Sequence, residues 1–194
     1  MNKLLLTCAV AVLASLGLNA ADFSRKGKFE TFVLAQYNGG DSTTADNATT
    51  QAEIDSFISG GLGMGYHFHD HFSLALDLSF GAATINGADS GSTVQTDSLA
   101  SLAHVSLEYN ILKSRFTPLL SAGLGFISYT GDFGSTGTSF QETDLAYGAG
   151  GGVRWNITDR WAMKAIYRAT FTNLEGADET LLFHTMTLSV GISF

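Results

Sequence analysis

Residues 182–194 alternate without a break. Leu182, His184, Met186, Leu188, Val190, Ile192 and Phe194 share one side, and Phe183, Thr185, Thr187, Ser189, Gly191 and Ser193 share the other. A period of two marks a strand whose faces meet unlike surroundings. Chain ends of soluble domains are commonly polar and frayed, whereas this one stays apolar to Phe194. Seven earlier segments repeat the pattern: 28–37, 54–68, 71–84, 98–110, 116–130, 142–155 and 161–172. The third is the cleanest, with Phe72, Leu74, Leu76, Leu78, Phe80 and Ala82 set against His71, Ser73, Ala75, Asp77, Ser79 and Gly81.

The connectors alternate in length. Short ones, containing HFHDHF, NILKSRF and NITDRW, follow the second, fourth and sixth segments, and long polar ones follow the first, third, fifth and seventh. Short turns at one end and long loops at the other describe an up-and-down meander. Eight strands are enough for a sheet to close on itself and remove its edges. The expected fold is therefore an all-β, eight-stranded antiparallel up-and-down β-barrel.

Alternation does not say whether the apolar face points out to lipid or in to a cavity, as in a soluble lipocalin-like barrel. The other face decides. A soluble barrel needs a charged exterior, but only 14% of the chain is charged, and the polar face is mostly Ser, Thr, Gly and Ala. Such residues suit the crowded bore of a small barrel. Aromatics gather near segment ends (Phe29, Tyr37, Tyr66, Phe68, Phe72, Tyr109, Phe116, Trp155, Trp161 and Phe171), as two interfacial girdles would require. The opening MNKLLLTCAVAVLASLGLNA sets Lys3 before an apolar run and small residues after it. It reads as a signal peptide over 1–20, leaving the barrel domain over 21–194. The single cysteine, Cys8, falls inside the leader, so no disulfide is expected to hold the exported chain together.

On these features the chain resembles the OmpA/OmpX-type eight-stranded outer-membrane barrels over its whole mature length. The most specific match is the tail. Met186, Leu188, Val190 and Ile192 leading to Phe194 look like the family's C-terminal assembly signal. The resemblance implies a transmembrane barrel in the outer membrane of a Gram-negative bacterium, surrounded by outer-membrane lipids. It also implies delivery by the barrel-assembly machinery, which would read an extended segment through strand pairing and alternate side chains.

Charge is distributed unevenly. The long connectors and their borders carry Asp41, Asp46, Glu53, Asp55, Asp89, Asp97, Asp132, Glu142, Asp144, Glu175, Asp178 and Glu179, with no Lys or Arg. The basic residues after the leader lie near the short turns or within strands, and the whole chain carries a net charge of −8. An acidic rim keeps loops soluble and offers hard oxygen ligands to divalent cations or a contact surface for host molecules. Within the bore the alternation puts Glu30, Asp77, Glu108, Arg154, Lys164 and Arg168. Buried charges need partners. The expectation is a salt-bridged plug, with Glu30 and Glu108 against Arg154 and Lys164 toward the short turns and Asp77 with Arg168 nearer the middle. The same groups lining an ion path would instead make a narrow porin-like channel.

Two motifs invite other chemistry. His67, His69 and His71 would project together in an extended segment and suit a transition metal, but a turn at His69–Asp70 breaks that geometry. His104 and Ser106 have the His-x-Ser spacing of lipid A deacylase barrels. Both face the bore, while acyl chains lie outside, so a lipid A-modifying enzyme is the weaker reading. The expectation is a monomeric, non-enzymatic barrel with a structural or surface-interaction role, without cofactor, metal site or nucleic-acid partner.

Overall fold

Every alternating segment is a strand in the computed structural model, which describes residues 23–39, 50–89, 92–133, 138–173 and 180–194. The expected leader over 1–20 lies outside these residues. The strands are β1 (Phe29–Gly39), β2 (Thr50–Ile54), β3 (Phe57–Tyr66), β4 (Phe72–Asp89), β5 (Ser92–Asn110), β6 (Phe116–Phe133), β7 (Thr138–Asn156), β8 (Trp161–Asn173) and β9 (Thr180–Ser193). β1 pairs with β3, both β2 and β3 pair with β4, and from β4 onward each strand pairs with the next, all antiparallel; β1 pairs with β9 through Phe32↔Gly191 to close the sheet. The result is a closed eight-strand barrel, because β2 and β3 both run against β4 as one stave.

That stave departs from the continuous segment expected over 54–68. Ile54 pairs with Ile85 but Ser59 pairs with Gly81, so the β2–β3 side holds one residue more than β4 between the two pairs. The bulge falls at Asp55–Ser56 and splits the strand. Two expected long connectors also shrink. The β4–β5 ladder continues to Asp89↔Ser92 and the β6–β7 ladder to Phe133↔Thr138, so much of NGADSGSTVQTD and GDFGSTGTSFQE is paired strand.

The faces divide as the alternation requires. Leu74, Leu78, Val33, Leu62, Leu120, Leu124, Met186 and Leu188 are exposed on the outer wall, and Asp77 is buried on the axis side. Aromatics mark both ends of this belt. Phe29 meets Tyr66, and Phe72 meets Tyr109 at 4.9 Å, near the short turns; Tyr147 stacks on Phe171 at 5.6 Å nearer the loops. Exposed apolar area of this extent is stable only against lipid.

Closing so few strands leaves a narrow bore, which demands small residues opposite large ones. Gly61, Gly63 and Gly65 line the inner face of β3; a Cβ on Gly63 would sit 2.8 Å from Asp77 Oδ1. At Gly191 a Cβ would run into the Thr31 carbonyl and the Phe32 ring. The loop-ward bore holds an apolar cluster of Phe57, Ala83, Ala100, Ile127, Tyr129, Ala146 and Phe183, with Leu102 against it. The reading of that face as mostly Ser, Thr, Gly and Ala did not single out this cluster.

Candidate functional site: the filled bore

Built from the short turns upward, the interior is layered. At the bottom, the segment before β1 crosses the barrel mouth. The Phe23 amide donates to the Lys113 carbonyl, and the Gly27 amide donates to the His67 carbonyl. Gly27 takes φ 83°, a left-handed turn that a side chain would strain. Arg25 is fully buried and donates to the carbonyls of Leu112, at 3.1 Å, and Ser114. Asp70 Oδ1 fastens the segment by accepting from Ser24 Oγ at 2.9 Å and from the amides of Arg25 and Lys26 at 3.0 and 3.1 Å. Those donors hold the Asp70 carboxyl well below the usual carboxylate range. Burial, together with the nearby Arg154 charge, brings the Arg25 guanidinium down to about 10, against the opposing pull of Glu30 and Asp70.

Above this strap lies the first ionic layer. Glu30 on β1 is bound by Arg154 on β7, accepts from Ser193 Oγ at 2.8 Å, and stands 3.1 Å from His67 Nε2. Arg154 Nε also donates to Asn156 Oδ1 at 3.1 Å. Beside it, Lys164 Nζ donates to Glu108 Oε1 at 2.8 Å, Ser73 Oγ donates to the other carboxylate oxygen at 3.2 Å, and the Lys164 ammonium lies 4.3 Å over the Phe32 ring. Strand pairing explains the company. Arg154↔Lys164 and Ser73↔Glu108 are register partners, so alternation brings them to one level of one face.

The second layer is looser. Arg168 Nη2 stands 3.7 Å from Asp77 Oδ2 and 3.5 Å from Ser121 Oγ. His104, the register partner of Asp77, is buried with neither ring nitrogen hydrogen-bonded to protein. Gln36 accepts from Ser79 Oγ at 2.7 Å and donates to Thr187 Oγ1 at 3.2 Å; Asn38 donates to Ser59 Oγ and accepts from Thr185 Oγ1, each at 3.1 Å. A cavity of about 30 Å³ separates this layer from the apolar cluster, lined by Asp77, His104 and Arg168 below and Phe57, Ile127 and Phe183 above.

All of the six charged residues expected in the bore therefore lie on the inner face, in three acid–base pairs. The strap and His67 were not foreseen. The turn around His69–Asp70 divides the three histidines, and His67 takes no part in it. Instead it points inward and is fully buried, while His69 and His71 stack on each other outside at 5.8 Å. Burial lowers the pKa of His67, opposed by Glu30. Among the described residues no group of three or more His, Cys, Asp or Glu side chains is placed to hold a metal. Ser106 lies inside next to His104 on β5, its hydroxyl unpaired, and Glu108 is committed to Lys164. Of the expected acidic rim, Asp55 and Asp97 are exposed, whereas Asp144 is buried on the inner face. Asp41, Asp46, Glu175, Asp178 and Glu179 lie outside the described residues. In the tail, Met186, Leu188, Val190 and Phe194 are exposed along the outer face of β9, with Ile192 partly covered beside them.

Residues 8–194 match the model of the outer membrane protein beta-barrel domain. Comparison with curated proteins finds no match. Among solved structures, OprG of Pseudomonas aeruginosa is similar at TM-score 0.60 and 16% identity, covering 89% of this chain and 98% of that one. Neisserial surface protein A is similar at 0.60 and 19%, covering 87% and 98%. Ail of Yersinia pestis is similar at 0.59 and 15%, covering 87% and 99%.

Proposed function

Given that the chain belongs to the outer membrane protein beta-barrel domain family, and with it to the outer membrane, we propose that it is a closed, non-enzymatic barrel that anchors acidic loops at the cell surface. Salt bridges plug its lumen. The observation that carries this reading is the filled bore. Arg25 spans the mouth, three ion pairs occupy the section above it, and Phe57, Ile127 and Phe183 fill the section beyond. Eight strands leave room only for side chains, and an ion entering this interior would have to displace paired charges and then shed water against an apolar ring.

The same enclosure speaks against lipid chemistry at His104 and Ser106, which face the bore while acyl chains lie against the outer wall. The loops offer carboxylates to divalent cations or host surface molecules. The barrel works as a monomer, since closure leaves no strand edge for a second copy. Met186, Leu188, Val190, Ile192 and Phe194 serve as the assembly signal, read by the barrel-assembly machinery while β9 is still an open edge. Single-channel recording on the purified full chain tests the closed lumen. The expected result is no steady conductance; a stable open level would replace the plug with a channel.

A further inference from the structure

The bore leaves the cations at the short-turn end unexplained. Lys26, Lys113, Arg115 and Arg160 are exposed there and Lys28 is half-buried. The carboxylates among the described residues of these turns are Asp70, taken up by the strap and 3.5 Å from Lys113, and Asp159, 2.7 Å from Arg115. Lys26 and Arg160 stand in no ion pair among the described residues. The cations form a collar rather than a scatter. Phe23 draws Arg25, Lys28 and Arg115 around its ring at 5.5, 4.3 and 5.6 Å, and Arg115 reaches across to the Ile157 carbonyl at 3.3 Å.

Each short turn also exposes an apolar side chain beside the collar: Phe68, Ile111 and Ile157, at 46%, 41% and 39% exposure. Phe29, Trp155 and Trp161 form the adjacent lower girdle, all exposed. Apolar anchors at turn tips belong in the interfacial zone, and they fix the cations beside them at the depth of headgroup phosphates. The opposite end of the molecule reverses the charge, with Asp55 and Asp97 exposed. Phosphate-bearing lipid is thus attracted at one leaflet and repelled at the other.

We propose that the basic collar of Lys26, Lys28, Lys113, Arg115 and Arg160, continuous with the lower aromatic girdle, is a binding surface for anionic phospholipid headgroups of the leaflet on the short-turn side. It rests on the outer-membrane placement and is independent of whether the bore conducts. The collar selects lipid by charge, roughly fivefold per headgroup held by one basic residue, and salt weakens that selection because the phosphates are solvated.

The test reconstitutes the full chain into vesicles of phosphatidylcholine with a minor share of phosphatidylglycerol, then extracts it gently and measures the lipid retained. The wild type is expected to retain phosphatidylglycerol about fivefold above its share of the vesicle at low salt, and to lose the excess in molar salt. The Lys26→Gln/Arg160→Gln variant leaves the strap and both turn ion pairs untouched, so it folds; it is expected to lose most of the excess. Placing lipid A only in the leaflet that meets the loop end of asymmetric vesicles separates the two sources of lipid phosphate, and no comparable enrichment is expected there, beside Asp55 and Asp97. Retention at the vesicle ratio, equal enrichment by the variant, salt-insensitive enrichment, or a preference for lipid A over phosphatidylglycerol would each overturn the proposal.

Discussion

Lys164 shows what a single residue does in the bore. Its ammonium is bound to Glu108 at 2.8 Å with both side chains almost wholly buried. Lys164→Met leaves the Glu108 carboxylate facing Arg154 alone across the layer, and breaking a buried pair by removing one partner costs about 3–5 kcal/mol. Adding Glu108→Met should recover most of that, since apolar replacement of both members of a buried pair is often neutral. Urea unfolding of the two variants in lipid vesicles checks the order; a double variant less stable than the single one would mean that the pair stabilises the barrel outright. His67 supplies a pH signature. Its native pKa is lowered by burial, while the unfolded value is about 6.5. A base with a depressed native pKa favours folding fully above its unfolded value, and that support is lost as pH falls below 6.5. The charged groups around it are Glu30, Arg154 and Glu108. Between pH 7.5 and 5 the wild-type midpoint of heat-modifiability on a gel should fall, and His67→Gln should flatten this slope. An equal slope in the variant would place the titration elsewhere.

At the scale of elements, the strap depends on one acceptor. Asp70 Oδ1 takes the hydroxyl of Ser24 and two successive amides, so Asp70→Ala should release residues 23–27 while the strand ladders stay closed. Hydrogen exchange at the Arg25 and Lys26 amides would rise by at least tenfold, the loss of a charge-assisted hydrogen bond of about 1.5–3 kcal/mol, with strand amides unchanged. Exchange rising through β1 and β9 as well would make the strap part of the barrel's closure. Because the Asp70 pKa is held low, acid loosens the strap only below the ordinary aspartate range, under about pH 4. What could be read in the sequence follows from where lipid and bore meet. Leu74 to Phe80 alternate because hydrocarbon lies on one side of β4 and packed polar groups on the other, and the same contrast put Asp77, Glu108 and Arg154 on the inner face. Beyond the bilayer that contrast ends, so the outer ladders to Asp89↔Ser92 and Phe133↔Thr138 carry no period and read as loops. Phe57, Ile127 and Phe183 were hidden by the same logic: apolar residues on a face read as polar look like exceptions until eight strands bring them together. The strap gave no periodic signal at all. It is held by one carboxylate and one guanidinium bound to backbone amides and carbonyls, and a single Asp and Arg in non-repeating segments leave no pattern to read.

For the whole molecule, the closed lumen proposed above rests on two seals that fail differently. The lower seal is ionic and works by occupancy: Glu30, Glu108, Arg154 and Lys164 fill the section above Arg25 and are bound to one another. The upper seal is apolar, and an unpaired ion meeting Phe57, Ile127 and Phe183 must give up hydration that nothing there replaces. The Arg168–Asp77 pair at 3.7 Å and the small cavity lie between them. Two barriers in series predict a specific pattern. Phe57→Ala/Phe183→Ala widens the upper section but leaves the ionic layer, so planar-bilayer recordings should stay without steady conductance. Glu30→Gln/Asp70→Ala loosens the lower layer and the strap but leaves the aromatic ring, and should likewise stay closed, though less stable. Only the combination opens a continuous aqueous path, and it should conduct steadily provided its heat-modifiable form confirms a folded barrel. Steady conductance from either partial variant would mean that one layer alone holds the bore shut and that the other is packing without a sealing role.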